Sequence, residues 1–206
     1  MKSLNIVVLA AGKGTRMYSD KPKVLHALAG KPLVQHVLDC AVTLQPKQVC
    51  VVYGHGGEAV PKAMQQYAAS FVIQEPQLGT GHAVQQAMPH LDDDSLTMVL
   101  YGDVPLIQAE TLQRMQQAGD GLVLLTVNLS NPTGYGRIVR NAKNEVLSIV
   151  EEKDASSEQR KICEVNTGIL LAPTKLLRSW LTNLQNNNSQ GEYYLTDIVG
   201  MAVQQG

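Results

Sequence analysis

The sequence predicts an α/β protein, a doubly wound and mainly parallel sheet with helices on both faces. Three observations carry this expectation. Short, continuous, β-branched apolar runs recur along the chain. Stretches with helical spacing of apolar positions separate them. A glycine-bearing turn, "AAGKGTRM", follows the first run at once. Strands alternating with helices build a mostly parallel sheet whose crossovers cover both faces.

The elements read as follows. "LNIVVLA" is a buried strand. Residues Pro32 to Leu44 form a helix, with Pro32 suited to its first turn and Leu33, Val34, Val37, Leu38 and Ala41 as the apolar stripe. "QVCVVYG" is the second strand, a helix runs from near Glu58 to Ala68, and "SFVIQ" is the third strand. "GTGHAVQQAM" opens another helix, "LTMVLYGD" is the fourth strand, Ala109 to Ala118 a helix, and "GLVLLTVNL" the fifth strand. The pattern then changes. "GRIVRNAKNEVLSIVEEKD" reads as a strand pair turning at "NAKNE", and "CEVNTGILLA" as a further strand. Pro173 to Leu184 reads as a helix, and "NNNSQGEYYLTD" as a polar loop entering a terminal helix.

Composition narrows the function classes. A chain of 206 residues suits one domain with its own core, and 44% hydrophobic residues is ordinary for a globular protein. A net charge of -1 argues against a broad nucleic-acid surface. No apolar run approaches a membrane span, and the start of the chain is too short for a signal peptide, so a cytoplasmic location is expected. Cys40, Cys50 and Cys163 are odd in number and lack metal-ligand spacing, which fits free thiols in a reducing compartment. His26, His36, His55, His82 and His90 form no HExxH-type pair and are expected to be structural or solvated.

The chemistry-bearing motifs admit more than one reading. In the opening turn, Gly12 and Gly14 let backbone N–H groups approach an anion. The loop lacks the Walker A pattern, and Met17 stands where a dinucleotide fingerprint needs its third glycine. Lys13, Arg16 and Lys23 are either a solvated surface cluster or a clamp on a triphosphate, with Arg as planar fork and Lys as point charge. "QLGTGHA" is either an ordinary helix start capped by Thr80 or a site for anions and polar ligand edges. Asp103 in "LYGDVPLI" is either turn chemistry or a carboxylate for Mg²⁺. "PTGYGRI" is either a strand-edge turn or part of a pocket.

The string "LAAGKGTRMYSDKPKVLHALAGKPLVQHV" resembles the signature of sugar-nucleotide pyrophosphorylases, and within them that of bacterial N-acetylglucosamine-1-phosphate uridylyltransferases. The likeness continues in order through "VYGHGG", "QLGTGHAVQQA", "LYGDVPLI", "PTGYGRIVR", "VEEKDA", "VNTGILL" and "GEYYLTDIV". It is to the N-terminal half of a bifunctional enzyme that also acetylates glucosamine-1-phosphate. It implies a Rossmann-like sugar nucleotidyltransferase fold over residues 1–206, without the β-helical acetyltransferase domain.

The resemblance further implies the reaction of UTP with N-acetylglucosamine-1-phosphate to UDP-N-acetylglucosamine and pyrophosphate, supplying peptidoglycan and lipopolysaccharide synthesis. It assigns Arg16, Lys23 and Lys13 to phosphate stabilisation, and Leu9, Ala10, Ala11, Gly12, Gln74, Gly79 and Thr80 to uracil recognition. Tyr101 and Gly102 would belong to the nucleotide pocket, with Asp103 as ligand to Mg²⁺. Gly136, Glu151 and Asn166 would hold the amino-sugar, with Tyr194 and Thr196 beside them. Family members are expected to be homotrimers through the second domain. The family's second metal-binding residue, an asparagine past the "EYYLTD" helix, has no counterpart up to Gly206, so binding without efficient turnover is expected of these residues. The alternatives are a pyrophosphorylase for another sugar or base, a nucleotide-sugar glycosyltransferase, and a non-catalytic nucleotide-binding module. Against the glycosyltransferase, Val104 and Pro105 follow Asp103 where a DxD motif would continue.

Overall fold

The computed structural model describes every residue except Met1, Lys13, Thr15, Arg16 and His55. Four strands form its parallel half: β1 (Leu4–Ala10), β4 (Gln48–Tyr53), β5 (Ser70–Ile73) and β6 (Leu96–Tyr101). They lie in the order β5-β4-β1-β6, all parallel. Strand β1 is buried along its whole length, which is why it reads as an unbroken apolar run rather than an alternating one.

Its side chains still alternate between two cores. Ile6, Val8 and Ala10 pack under α1 (Leu33–Val42), α2 (Ala59–Ala63) and α4 (Ala109–Gln117), through Val37, Val60 and Leu112 among others. Val7 and Leu9 pack on the other face under α3 (Thr80–Ala87), α5 (Thr174–Thr182) and α6 (Ile198–Gln205), through Val84, Leu177 and Ile198. Three helices thus cover each face, as the doubly wound expectation requires. No helix among the described residues is long and apolar enough to cross a membrane.

The other half of the sheet is antiparallel. Strand β10 (Glu164–Pro173) pairs β7 (Val123–Asn128) over its length, with a break in register between Asn166 and Leu170. Its other edge is shared: residues 170–173 pair β6, and Val165 pairs Arg137 of β8 (Arg137–Arg140). Strand β8 turns into β9 (Val146–Val150) through the expected "NAKNE" hairpin, where the Asn141 side chain accepts the N–H groups of Lys143 and Glu145. The fifth strand of the alternating region, β7, therefore joins this antiparallel half rather than the parallel row.

Two boundaries differ from expectation for tertiary reasons. The helix expected from Glu58 to Ala68 is only the five residues of α2. The chain leaves it after buried Met64 so that the Tyr67 hydroxyl can donate to Asp39 on α1. The helix expected from Pro32 is preceded by a small hairpin of β2 (Ala27–Leu28) and β3 (Lys31–Pro32). Its turn residues Ala29 and Gly30 both have positive φ, +48° and +82°, the signature of a two-residue hairpin turn. Pro32 ends β3 and caps α1 instead of opening it.

Candidate functional site

A cavity of about 700 Å³ opens at the carboxyl ends of the parallel strands. The strand order places it where the chain, having moved outward from β1 to β4 and β5, returns to the other side of β1 as β6. Such a switch point is where doubly wound sheets leave a crevice for ligands. Leu9, Ala10, Ala11 and Gly12 wall it as the chain leaves β1, and Gln74, Gly79 and Thr80 wall it from the β5–α3 connection. Tyr101 and Asp103 wall it at the end of β6, and Lys23 from the short helical turn at Lys23–Leu25. Gly102 lies buried beneath, where its N–H donates to the Leu9 carbonyl. Lys13 and Arg16, the other two cations expected here, lie outside the described residues.

Lys23 and Asp103 meet directly, Nζ to Oδ2 at 2.5 Å. Opposite charges thus sit side by side on the cavity wall, and both remain partly exposed. Among the described residues no group of three or more His, Cys, Asp or Glu could cage a metal ion. A partly exposed carboxylate such as Asp103 nevertheless suits Mg²⁺, which takes oxygen ligands and keeps several from water and phosphate.

The polar wall at the start of α3 is set by hydrogen bonds. Gln74 is buried and its Nε2 donates to the Gly79 carbonyl at 2.9 Å and to His82 Nδ1 at 3.2 Å. A carbonyl oxygen can only accept, so the amide nitrogen must face inward. The His82 ring is held between the Gln74 and Gln86 amides, and burial pushes its imidazole below its usual range. His82 is thus a structural histidine, as expected, yet it orients a cavity residue. Thr80 does not cap α3. Gly79 holds the cap position with φ of +104°, and the Thr80 hydroxyl accepts the Leu195 N–H at 3.1 Å.

Segment 192–196 binds this helix start to the far side of the site. The Tyr193 N–H donates to the Leu78 carbonyl, and the Gly81 N–H to the Tyr193 carbonyl. One residue past Leu195, the Thr196 hydroxyl donates to Glu151 Oε1 at 3.0 Å. Burial pushes the Glu151 carboxyl up, the Thr196 bond works against it, and the charges of Asp197 and Asp154 add to the rise. Gly136 sits against Glu151: a Cβ on it would lie 3.3 Å from Oε1. Its carbonyl accepts the Asn166 N–H at 2.9 Å. Asn166 and Thr196 line a recess of about 10 Å³ whose shared wall with the large cavity is Tyr101. Burial, reinforced by the charge of Glu151, pushes the Tyr101 phenol up. Tyr194 is buried and its hydroxyl accepts Gln190 Nε2, and it walls neither hollow.

Three residues that the motif reading passed over belong to the site. Gln77 lines the cavity and its Nε2 donates to the Ala11 carbonyl at 2.7 Å, tying the opening loop to the β5–α3 connection. Glu192 also lines the cavity. Gly168, with φ of +86°, lies under the Tyr101 ring, where a Cβ would come within 2.4 Å. Gln77 and Glu192 stand inside recognised motifs, "QLGTGHA" and "GEYYLTDIV", but only the fold shows which way they turn.

Comparisons with known proteins bear on the family and the fold. The family described as MobA-like NTP transferase domain matches residues 6–187. Two relatives carry the description bifunctional protein GlmU. That of Herminiimonas arsenicoxydans is 60% identical over 205 residues, covering 98% of this chain and 45% of the relative. That of an Azoarcus species is 62% identical over 202 residues, covering 97% and 45%. The chain therefore spans a little under half the length of these relatives. A UDP-glucose pyrophosphorylase solved in complex with UDP-glucose shares the fold, with a TM-score of 0.78 at 17% identity over 100% of this chain and 88% of that one. A putative glucose-1-phosphate thymidylyltransferase from Bacillus anthracis does so at 0.77 and 20% identity, covering 99% and 84%. With the family match spanning most of its length, the chain belongs to the MobA-like NTP transferase domain family.

Proposed function

We propose that this chain is an N-acetylglucosamine-1-phosphate uridylyltransferase, joining UTP and N-acetylglucosamine-1-phosphate to give UDP-N-acetylglucosamine and pyrophosphate. The observation that carries the reading is the placement of Tyr101, which walls both the large cavity and the small recess lined by Asn166 and Thr196. The relatives named as bifunctional GlmU proteins, at 60–62% identity over this region, support the choice of sugar nucleotide. A cytoplasmic location and a role in cell-wall precursor supply follow from the same reading.

The base would sit against Gln74, Gly79, Thr80 and the backbone of Leu9 to Gly12. With its nitrogen committed to Gly79 and His82, Gln74 has an oxygen left to offer. An acceptor there suits the N3–H of uracil and opposes the unprotonated N3 of cytosine. The amino-sugar would sit by Gly136, Glu151, Asn166 and Thr196. The phosphates would lie between these regions, beside Lys23 and Asp103, with Lys13 and Arg16 contributing from the opening loop.

The nucleophile is a phosphate oxygen of the sugar phosphate. A monoester's second pKa is near 6, so at neutral pH it is largely ionised and needs no general base. It attacks the α-phosphorus of UTP. The new bond forms as the bond from that phosphorus to the bridging oxygen breaks, and the electron pair leaves with pyrophosphate. Transfer of this kind depends on positioning and on neutralising charge. Lys23 and Arg16 would supply cationic contacts. Asp103 would hold Mg²⁺, which would supply positive charge to neutralise the phosphates.

The test is pyrophosphate release from UTP and Mg²⁺ with a panel of sugar phosphates. N-acetylglucosamine-1-phosphate is the expected preferred acceptor. Arg16→Ala is expected to lower turnover by about 10²–10³-fold, the scale of one lost transition-state donor, with folding intact. Equal rates with glucose-1-phosphate, or normal turnover in folded Arg16→Ala, would contradict the reading.

A further inference from the structure

We infer that Arg137 and Glu152 are a positioning pair, which sets Gly136 and Glu151 against each other without either member touching ligand. The inference rests on the reading of Gly136 and Glu151 as sugar-binding residues. Each member of the pair stands immediately after one of them in the chain.

The Arg137 side chain leaves β8 on the face opposite Ile138, which packs in the core with α3, α5 and α6. Only 1% of Arg137 is exposed, so its charge is almost wholly removed from water. Nη2 donates to Glu152 Oε2 at 2.6 Å and more weakly to the Arg160 carbonyl at 3.4 Å, and Nη1 donates to the Tyr135 carbonyl. The same Glu152 oxygen accepts the Gly134 N–H at 3.2 Å. The Glu152 carbonyl accepts Arg160 Nη2 at 3.3 Å. The guanidinium therefore joins three segments: the glycine turn at 134–136, the exit of β9 at 151–152, and the short helical turn at Gln159–Lys161.

Stability is a poor reason for this arrangement. Arg137 is buried while Glu152 is 28% exposed, and an ion pair with a buried member gains little over apolar side chains of the same volume, because desolvation offsets the attraction. Arg137 Nε is buried and has no partner among the described residues, which adds to the cost. What the pair does supply is direction. Beyond the β8–β9 pairing it ties the turn to the β9 exit in one relative placement, in which a Cβ built on Gly136 would lie 3.3 Å from Glu151 Oε1. Apolar replacements would fill the space and keep the β8–β9 pairing, which ends at Arg137 and Val150, but would remove the side-chain tie between the segments beyond it.

The experiment compares binding of UTP and of UDP-N-acetylglucosamine by calorimetry in three variants. Glu152→Ala is expected to weaken UDP-N-acetylglucosamine by about tenfold or more, the size of one displaced charged hydrogen bond, and to leave UTP unchanged. Glu152→Gln keeps an oxygen for Arg137 and the Gly134 N–H, and is expected to restore most of the loss. The double variant Arg137→Met/Glu152→Leu removes the unpaired charge, so it is expected to fold even if Glu152→Ala does not. It should still bind UTP normally and UDP-N-acetylglucosamine weakly. Full affinity for both ligands in the folded double variant would overturn the inference, as would equal loss of both. An unmodified chain that binds neither ligand would instead overturn the functional reading beneath it.

Discussion

Glu151 illustrates how single residues carry this site. Its carboxyl faces Gly136, accepts the Thr196 hydroxyl, and lies in the field of Asp197 and Asp154. Asp197 is pushed up in its turn, by burial and by Asp154. Both groups bind protons more readily folded than unfolded, so the stability they contribute is present at acid pH. It is lost as pH rises through their folded pKa values. At neutral pH the fold therefore bears a cost of ionising Asp197 beside Asp154, which solvent screens in part because Asp197 is exposed. Asp197→Asn is expected to raise the melting temperature at pH 7. The gain should shrink on acidification and vanish below about pH 4, where the unfolded carboxyl is itself protonated. Each kcal/mol recovered corresponds to about 2–4 °C for a chain of this length. Parallel melting curves for the two proteins from pH 3 to 7 would show that Asp197 bears no such cost.

At the scale of elements, β10 and α3 do most of the positioning. The break in register of β10 brings Gly168 under Tyr101, and Tyr101 divides the cavity from the recess. Gly168→Ala adds a Cβ 2.4 Å from the ring at a φ of +86°. The ring must shift toward the cavity, so ligand binding is expected to fall at least about tenfold in a protein that still folds, one displaced contact being worth that much. Unaltered affinity in calorimetry would remove Tyr101 from the site. Such effects show where the sequence stopped being legible. Leu4–Ala10 and the helices with clear apolar stripes could be read because burial dictates their composition. The early end of α2 could not, since it depends on Tyr67 meeting Asp39 across the fold. Nor could Thr80, whose place in "GTG" suggests a cap, while its hydroxyl is taken by Leu195 more than a hundred residues away. Asp103, by contrast, was legible from its place at a strand end.

At the scale of the molecule, a parallel half and an antiparallel half are joined along one strand, β10. The residues proposed for the nucleotide come from the ends of the parallel strands and the turns beside them, and of those proposed for the sugar Gly136, Glu151 and Asn166 come from the antiparallel half and Thr196 from the turn before α6. Under the proposed function the two specificities would be built on separate elements, which meet at Tyr101 and at the Thr80–Leu195–Thr196–Glu151 connection. The order of motifs along the chain made this division readable by resemblance, whereas its geometry, and the parts of Gln77 and His82 in it, required the fold. The most direct measurement is a crystal structure with UDP-N-acetylglucosamine bound. The account expects the uracil edge on Gln74 and Gly79, the diphosphate beside Lys23 and Asp103, and the sugar within hydrogen-bond reach of Glu151 and Asn166. A sugar seated against Gln74, or a base seated against Glu151, would contradict it.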